Sequence, residues 1–210
     1  LGDRGDNQKI DIISKMWKNY GMTFVEYIYL YRFRNNNEHI NIKGKEILNS
    51  ISSNNKPVIF ISGHFANFEL MSMELTKQDI KLATIYRPLN NYFLNPFMEF
   101  LRKKYVCEKQ IKKGISGIRE TIQHLNNGYN IALMVDQRLG EGKKLNFFKQ
   151  EAYTTTLPAQ IALKHKLDIV PIYISRNEKN NFELEIIQPI KTSNMENTEK
   201  NKIDISLNIN

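Results

Sequence analysis

The distribution of apolar positions divides the chain into alternating helical and extended segments. Over residues 9–33, Ile10, Ile13, Met16, Trp17, Tyr20, Phe24, Tyr27, Ile28 and Tyr31 recur three or four positions apart, the period of one helix face. Gly21 interrupts this run and predicts a kink or a break into two helices there. Six aromatic residues between Trp17 and Tyr31 read as a stripe facing the core, with a surface touching lipid or another segment as the alternative. Ile40 and Ile42 suggest a short edge strand, and residues 44–53 a short helix. The continuous apolar run Val58-Ile59-Phe60-Ile61 is then a buried strand that ends at Ser62-Gly63.

Further helices are predicted over 67–76, 92–105 and 114–127, the last closed by Asn126-Asn127-Gly128, a C-cap pattern. Strands are predicted at 81–86, 130–135, 145–148, 168–175 and 182–187. A helix after Thr154-Thr155-Thr156 carries Pro158 in its first turn, where proline is tolerated. Such alternation argues for one α/β domain over residues 1–210, with a mostly parallel central sheet flanked by helices. The chain opens at Leu1 and stops in a polar stretch, so truncation at both ends is expected.

Composition narrows the class. Thirty basic against 22 acidic residues give a net charge of +8, which favours an anionic partner. The one cysteine, Cys107, excludes an internal disulfide framework and a cysteine-rich zinc site. No apolar run approaches the roughly 20 residues of a membrane span. The basic runs Arg102-Lys103-Lys104, Lys109 to Lys113 and Lys143-Lys144 read as solvated faces. Without interleaved aromatic residues beside them, nucleic acid is the weaker partner. Nucleophile-elbow, P-loop and dinucleotide glycine patterns are lacking. His39, His124 and His165 have no metal-ligand spacing and read as ordinary surface or helix residues.

Three predicted strands end in polar residues foreign to a core: His64 with Glu69, Arg87, and Asp136 with Gln137. In a parallel sheet these ends share one edge, where open α/β folds bind ligands. His64 in the turn and Glu69 in the first helical turn could meet, the carboxylate orienting the imidazole and leaving its other nitrogen as a general base. Arg87, held extended by Pro88, suits a phosphate, a carboxylate or a developing oxyanion, or else forms a structural salt bridge. Asp136 could orient a base, bind a metal with Gln137, or cap a turn.

Five segments, in this order, carry a resemblance to bacterial lipid A biosynthesis acyltransferases. They are Ser62 to Leu70, Tyr86-Arg87-Pro88-Leu89-Asn90-Asn91, Asp136-Gln137, Thr154-Thr155-Thr156 with Pro158-Ala159, and Val170-Pro171-Ile172-Tyr173. Phe68 stands where the family usually has tryptophan, and Val135 where a proline is common before the Asp-Gln pair. The resemblance implies a glycerol-3-phosphate acyltransferase-type architecture. It also implies transfer of a fatty acyl chain from acyl carrier protein to a hydroxyl of a lipid A precursor. In that reading His64 is the base, Glu69 orients it, Arg87 stabilises the oxyanion or positions substrate, and Asp136 supports them. Asn67, Asn90 and Gln137 would bind substrate. Neither a metal nor a cofactor is implied. The partners would be acyl carrier protein, an anionic phosphorylated glycolipid and the inner-membrane surface, at the cytoplasmic face, with an N-terminal anchor outside this sequence. A glycerolipid or phosphoinositol-mannoside acyltransferase is the alternative, though the chain lacks the Pro-Glu-Gly-Thr motif of glycerol-phosphate enzymes. A catalytically silent protein that binds membranes through its basic face is the reading from another class.

Overall fold

In a computed structural model, residues 5–54, 56–137, 142–147 and 150–209 are described. An N-terminal arm comprises α1 (Asp6–Glu26), a 3-10 turn (Tyr27–Tyr29) and α2 (Leu30–Asn35). Next come β1 (Ile40–Lys43), α3 (Lys45–Asn54), β2 (Ile59–Ser62), α4 (Glu69–Lys77), β3 (Leu82–Tyr86) and α5 (Leu94–Leu101). A π-helical turn (Arg102–Val106) continues α5, followed by β4 (Lys109–Lys112), α6 (Ile115–Asn126) and β5 (Asn130–Met134). The remainder is β6 (Lys143–Phe147), β7 (Gln150–Thr154), α7 (Leu157–His165), β8 (Ile169–Arg176), β9 (Phe182–Ile186) and α8 (Glu199–Asn208).

Seven strands form one sheet in the order β1-β9-β8-β2-β5-β3-β4, and β6 and β7 form a separate antiparallel hairpin. Strands β8, β2, β5, β3 and β4 are mutually parallel, while β9 runs antiparallel to β8 with β1 alongside it. The mostly parallel, helix-covered sheet expected from the alternation is therefore what forms. Every residue of β2 is buried, as a central strand covered on both faces requires. Phe60 faces α4, with Leu70, Met71 and Met73, whereas Ile59 and Ile61 face α7, with Ala159 and Ala162. The Lys-bearing β4 forms one sheet edge, where charge discourages pairing with another chain.

The order of the strands creates the crevice. The chain leaves β2 over one face through α4 to reach β3, and leaves β5 toward β8 with α7 on the other face. Connections departing in opposite directions from neighbouring strands open a gap beyond their C-terminal ends. The register fixes what lies there. Ser62 pairs with Met134, the Val135 N–H donates to the Ser62 carbonyl at 2.9 Å, and two residues beyond that pair stand His64 and Asp136.

Some expectations are corrected. The N-terminal helix breaks at Tyr27–Tyr29, and Gly21 lies within continuous α1. The aromatic stripe does not face the core: Trp17 is 66% exposed, Phe24 56%, Ile28 78% and Tyr31 65%. Only Thr23, Tyr27 and Leu30 of this arm are buried, because α1 meets the body through polar contacts along one narrow line. Strands β4 and β7 were not anticipated. Both are rich in lysine, glutamine or glutamate and lack the apolar run that marks a strand.

Phe60 is fully buried at the centre of the larger apolar cluster. Phe60→Ala is expected to destabilise the fold by about 3–5 kcal/mol. Urea unfolding would show a lower midpoint with an unchanged slope.

Candidate active site

The turn between β2 and α4 is built by close approach. A Cβ on Gly63 would stand 2.6 Å from the Phe65 ring and 3.1 Å from Asp136 Oδ2, so a bare backbone is what admits the carboxylate. Ala66 adopts φ +42°, an uncommon conformation for a residue with a side chain. Its carbonyl accepts hydrogen bonds from Asn19 Nδ2 at 3.1 Å and Thr23 Oγ1 at 3.0 Å, both on α1. Asn67, fully buried, donates through Nδ2 to Glu26 Oε2 and accepts the Glu69 N–H at 3.2 Å. Glu26 in turn holds Arg176 of β8, with Nη2 to Oε2 at 3.1 Å. This chain of contacts locks the turn, and it corrects the reading of Asn67 as a substrate-binding residue. Its amide is consumed by structure.

Asp136 clamps His64 twice. Oδ2 accepts the His64 backbone N–H at 2.7 Å, and Oδ1 lies 2.7 Å from the ring Nδ1. Burial opposes ionisation of Asp136, but the hydrogen bonds from the His64 ring and backbone outweigh it and hold the carboxyl below its usual range. An ionised carboxylate only accepts, so Nδ1 carries the proton and the neutral ring presents its lone pair at Nε2. Gln137 Nε2 stands 3.5 Å from that nitrogen. Phe68 packs edge-on against the imidazole, with 4.6 Å between ring centroids.

Glu69 does not make the contact expected of it. As the first residue of α4, with 6% exposure, it turns inward and accepts from Arg102 Nε at 2.8 Å, Arg102 Nη2 at 2.5 Å and the Tyr27 hydroxyl. Burial works against the Arg102 charge, but Glu69 more than compensates and the guanidinium is held firmly protonated. Burial and the adjacent Glu69 charge likewise raise the Tyr27 hydroxyl above its usual range, so it stays a neutral donor. Arg102 was read as part of a solvated basic run, yet its side chain is 12% exposed. The missed signal is spacing: Leu94, Met98, Arg102 and Val106 recur every four residues, and all four line the same cavity.

That cavity encloses about 580 Å³, within the range of small-molecule sites. His64, Gln137, Arg87 and Asn90 line it, as do the Glu69–Arg102 pair and apolar residues such as Met71, Met98 and Leu133. Arg87 is exposed, and none of the ion pairs among the described residues uses it. Thr155 and Leu157, from the threonine-rich segment, complete the wall beside α7.

A histidine set by an aspartate above an apolar cavity is found here together with all the sequence segments described above. The family model of bacterial lipid A biosynthesis acyltransferases matches residues 1–208. The chain belongs to that family. It is also similar to lipid A biosynthesis acyltransferase 2 of Shigella flexneri, 28% identical over 144 residues, which are 67% of this chain and 45% of that protein. The similarity thus spans a little under half of the relative's length. Among the described residues no helix is long and apolar enough to cross a membrane.

Asp136→Asn leaves one acceptor oxygen where two are needed and puts an amide donor in place of the other, and kcat is expected to fall about 10²- to 10⁴-fold. The stability side has a definite sign. A lowered carboxyl pKa stabilises the fold above the unfolded value, and the benefit is lost as pH falls through the folded value. Thermal melts of the variant and the parent should therefore differ at neutral pH and converge in strong acid.

Proposed function

We propose that this chain is the catalytic part of an acyltransferase of lipid A synthesis. It would move a fatty acyl group from the thioester of acyl carrier protein to a hydroxyl of a phosphorylated lipid A precursor, at the cytoplasmic face of the inner membrane. The observation that carries the reading is His64, held by Asp136 through Nδ1, on the wall of a cavity that apolar side chains share with a buried Glu69–Arg102 pair.

In this mechanism the acceptor hydroxyl lies against His64 Nε2 and gives up its proton as its oxygen attacks the thioester carbon. The carbon–sulfur bond breaks from the tetrahedral intermediate, and the leaving thiolate takes the proton back from the imidazolium. Asp136 favours the imidazolium while it exists and keeps the ring in one orientation. Arg87 and Arg102 line the cavity and supply positive charge to a developing oxyanion or to phosphate on the acceptor. Glu69 acts through Arg102, fixing the guanidinium so that little reorganisation is needed during the reaction. Asn90 and Gln137 are the polar contacts left at the mouth for substrate. A surface of net charge +8 favours encounter with acyl carrier protein and phosphorylated lipid, both acidic.

The test is transfer of a labelled acyl chain from acyl carrier protein to a lipid A precursor. His64→Ala should lower turnover about 10²- to 10⁴-fold, and near-normal turnover would overturn the base assignment. Glu69→Gln should impair turnover while leaving the pH profile set by His64 in place, because it disturbs Arg102 and not the imidazole. Preference for a glycerol-phosphate acceptor over the precursor would overturn the lipid A assignment.

A further inference from the structure

Helix α5 has one polar row, Asn95 and Glu99, and carries apolar residues on its solvent side as well as its inner side. Its inner row, Leu94 and Met98, lines the cavity. Its outer row starts one residue before the helix and continues along it: Phe93 is 95% exposed, Phe97 56% and Phe100 55%, with Tyr92 beside them at 91%. Isolated apolar side chains at a surface are ordinary, but four aromatic rings in one row are not.

The row adjoins further exposed apolar surface. Lys104 lies over the Phe100 ring at 5.4 Å and over the Tyr105 ring at 5.2 Å, and Tyr105 meets Tyr31 of α2 edge-on at 6.1 Å. From Tyr31 the exposed face returns along the N-terminal arm to Phe24 and Tyr20, which also line the cavity. Exposed aromatic surface thus adjoins the cavity lining both at α5 and at α1. Exposed cations stand beside it: Lys103 and Lys104 after α5, and Lys113, itself on the cavity wall. Aromatic rings bordered by lysines match the boundary between headgroups and acyl chains in an anionic bilayer, where rings insert and cations meet phosphate.

We propose that the row Tyr92, Phe93, Phe97 and Phe100 is a membrane-insertion lip. It seats the cavity mouth in the headgroup layer of an anionic bilayer, so that a lipid acceptor enters from the side without crossing water. The proposal rests on the cavity being the acceptor site, but the lip can be tested without any turnover. Vesicles of phosphatidylethanolamine and phosphatidylglycerol, without substrate, are the probe. The parent chain should cosediment with them, and the triple variant Tyr92→Ser, Phe93→Ser, Phe97→Ser should partition about tenfold or more weakly. Its circular dichroism should be unchanged, since none of the three lines the cavity or the core. In a second test Phe93→Trp is made in a Trp17→Phe background, which removes the one natural tryptophan. Its emission should shift to the blue on adding vesicles and be quenched by lipids brominated near the headgroup. Failure of the parent to bind, equal binding by the triple variant, or no spectral change each overturns the lip. So does a blue shift that appears without vesicles as protein concentration rises, which would mean that a second copy covers the row. The two readings fail separately. Normal transfer to a detergent-dispersed acceptor with vesicle binding indifferent to the triple variant sinks the lip and leaves the site. Lip-dependent binding without any acyl transfer does the reverse.

Discussion

Because β2 and β5 are adjacent, parallel and paired from Ile59–Ile131 to Ser62–Met134, continuing the same register two residues outward brings His64 to Asp136. The pairing of β2 with β5 closes the long stretch of chain that separates the two. The ladder of a fully buried central strand supplies the alignment, and two hydrogen bonds of 2.7 Å finish it. A slip of one residue would place β2's apolar side chains on the wrong faces, so the core itself guards the alignment of the site. Stability of the sheet and geometry of the His64–Asp136 pair are thus one constraint.

The second requirement is a turn tight enough to bring a backbone N–H and an imidazole onto one carboxylate. Gly63 leaves room for the oxygen, and Ala66 takes a left-handed conformation that costs of order 1–3 kcal/mol unless its surroundings impose it. The imposing groups lie far away in sequence: Asn19 and Thr23 on the Ala66 carbonyl, and Glu26 on Asn67, braced by Arg176. The N-terminal arm therefore works as a polar brace for the turn. That explains why its buried line is so thin and why its aromatic residues remain outside.

What could be read from the sequence follows the same division. Strands buried on both faces announce themselves as apolar runs, so the parallel sheet, its C-terminal edge and the meeting of His64, Arg87 and Asp136 there were legible. Edge strands such as β4, with Lys109, Gln110 and Lys112, give no such run. The aromatic period over 9–33 identified a helix correctly but not the direction its stripe faces, because periodicity reports one apolar face without saying what covers it. Partner choice was the least legible. Five-residue spacing made Glu69 look like His64's carboxylate, while Asp136, distant in sequence, takes that place through sheet pairing. Arg102 was hidden inside a run of three basic residues, although its four-residue spacing from Met98 and Leu94 marks it as belonging to the cavity wall.

Two carboxylates stand near one cavity, and their surroundings give them different partners. Asp136, at the sheet edge with 35% of its side chain exposed, is tied to the ring that gains and loses a proton in the proposed mechanism. Glu69, buried, is tied to a guanidinium that never titrates and to a hydroxyl held neutral. Paired with that buried carboxylate, Arg102 keeps its positive charge in place. If the two roles were exchanged, a buried glutamate would feel every protonation of the imidazole and the guanidinium would lose its fixed anchor. Division of labour between Asp136 and Glu69 is therefore a consequence of depth. In the proposed mechanism the shallow carboxylate serves the imidazole and the deep one fixes the guanidinium.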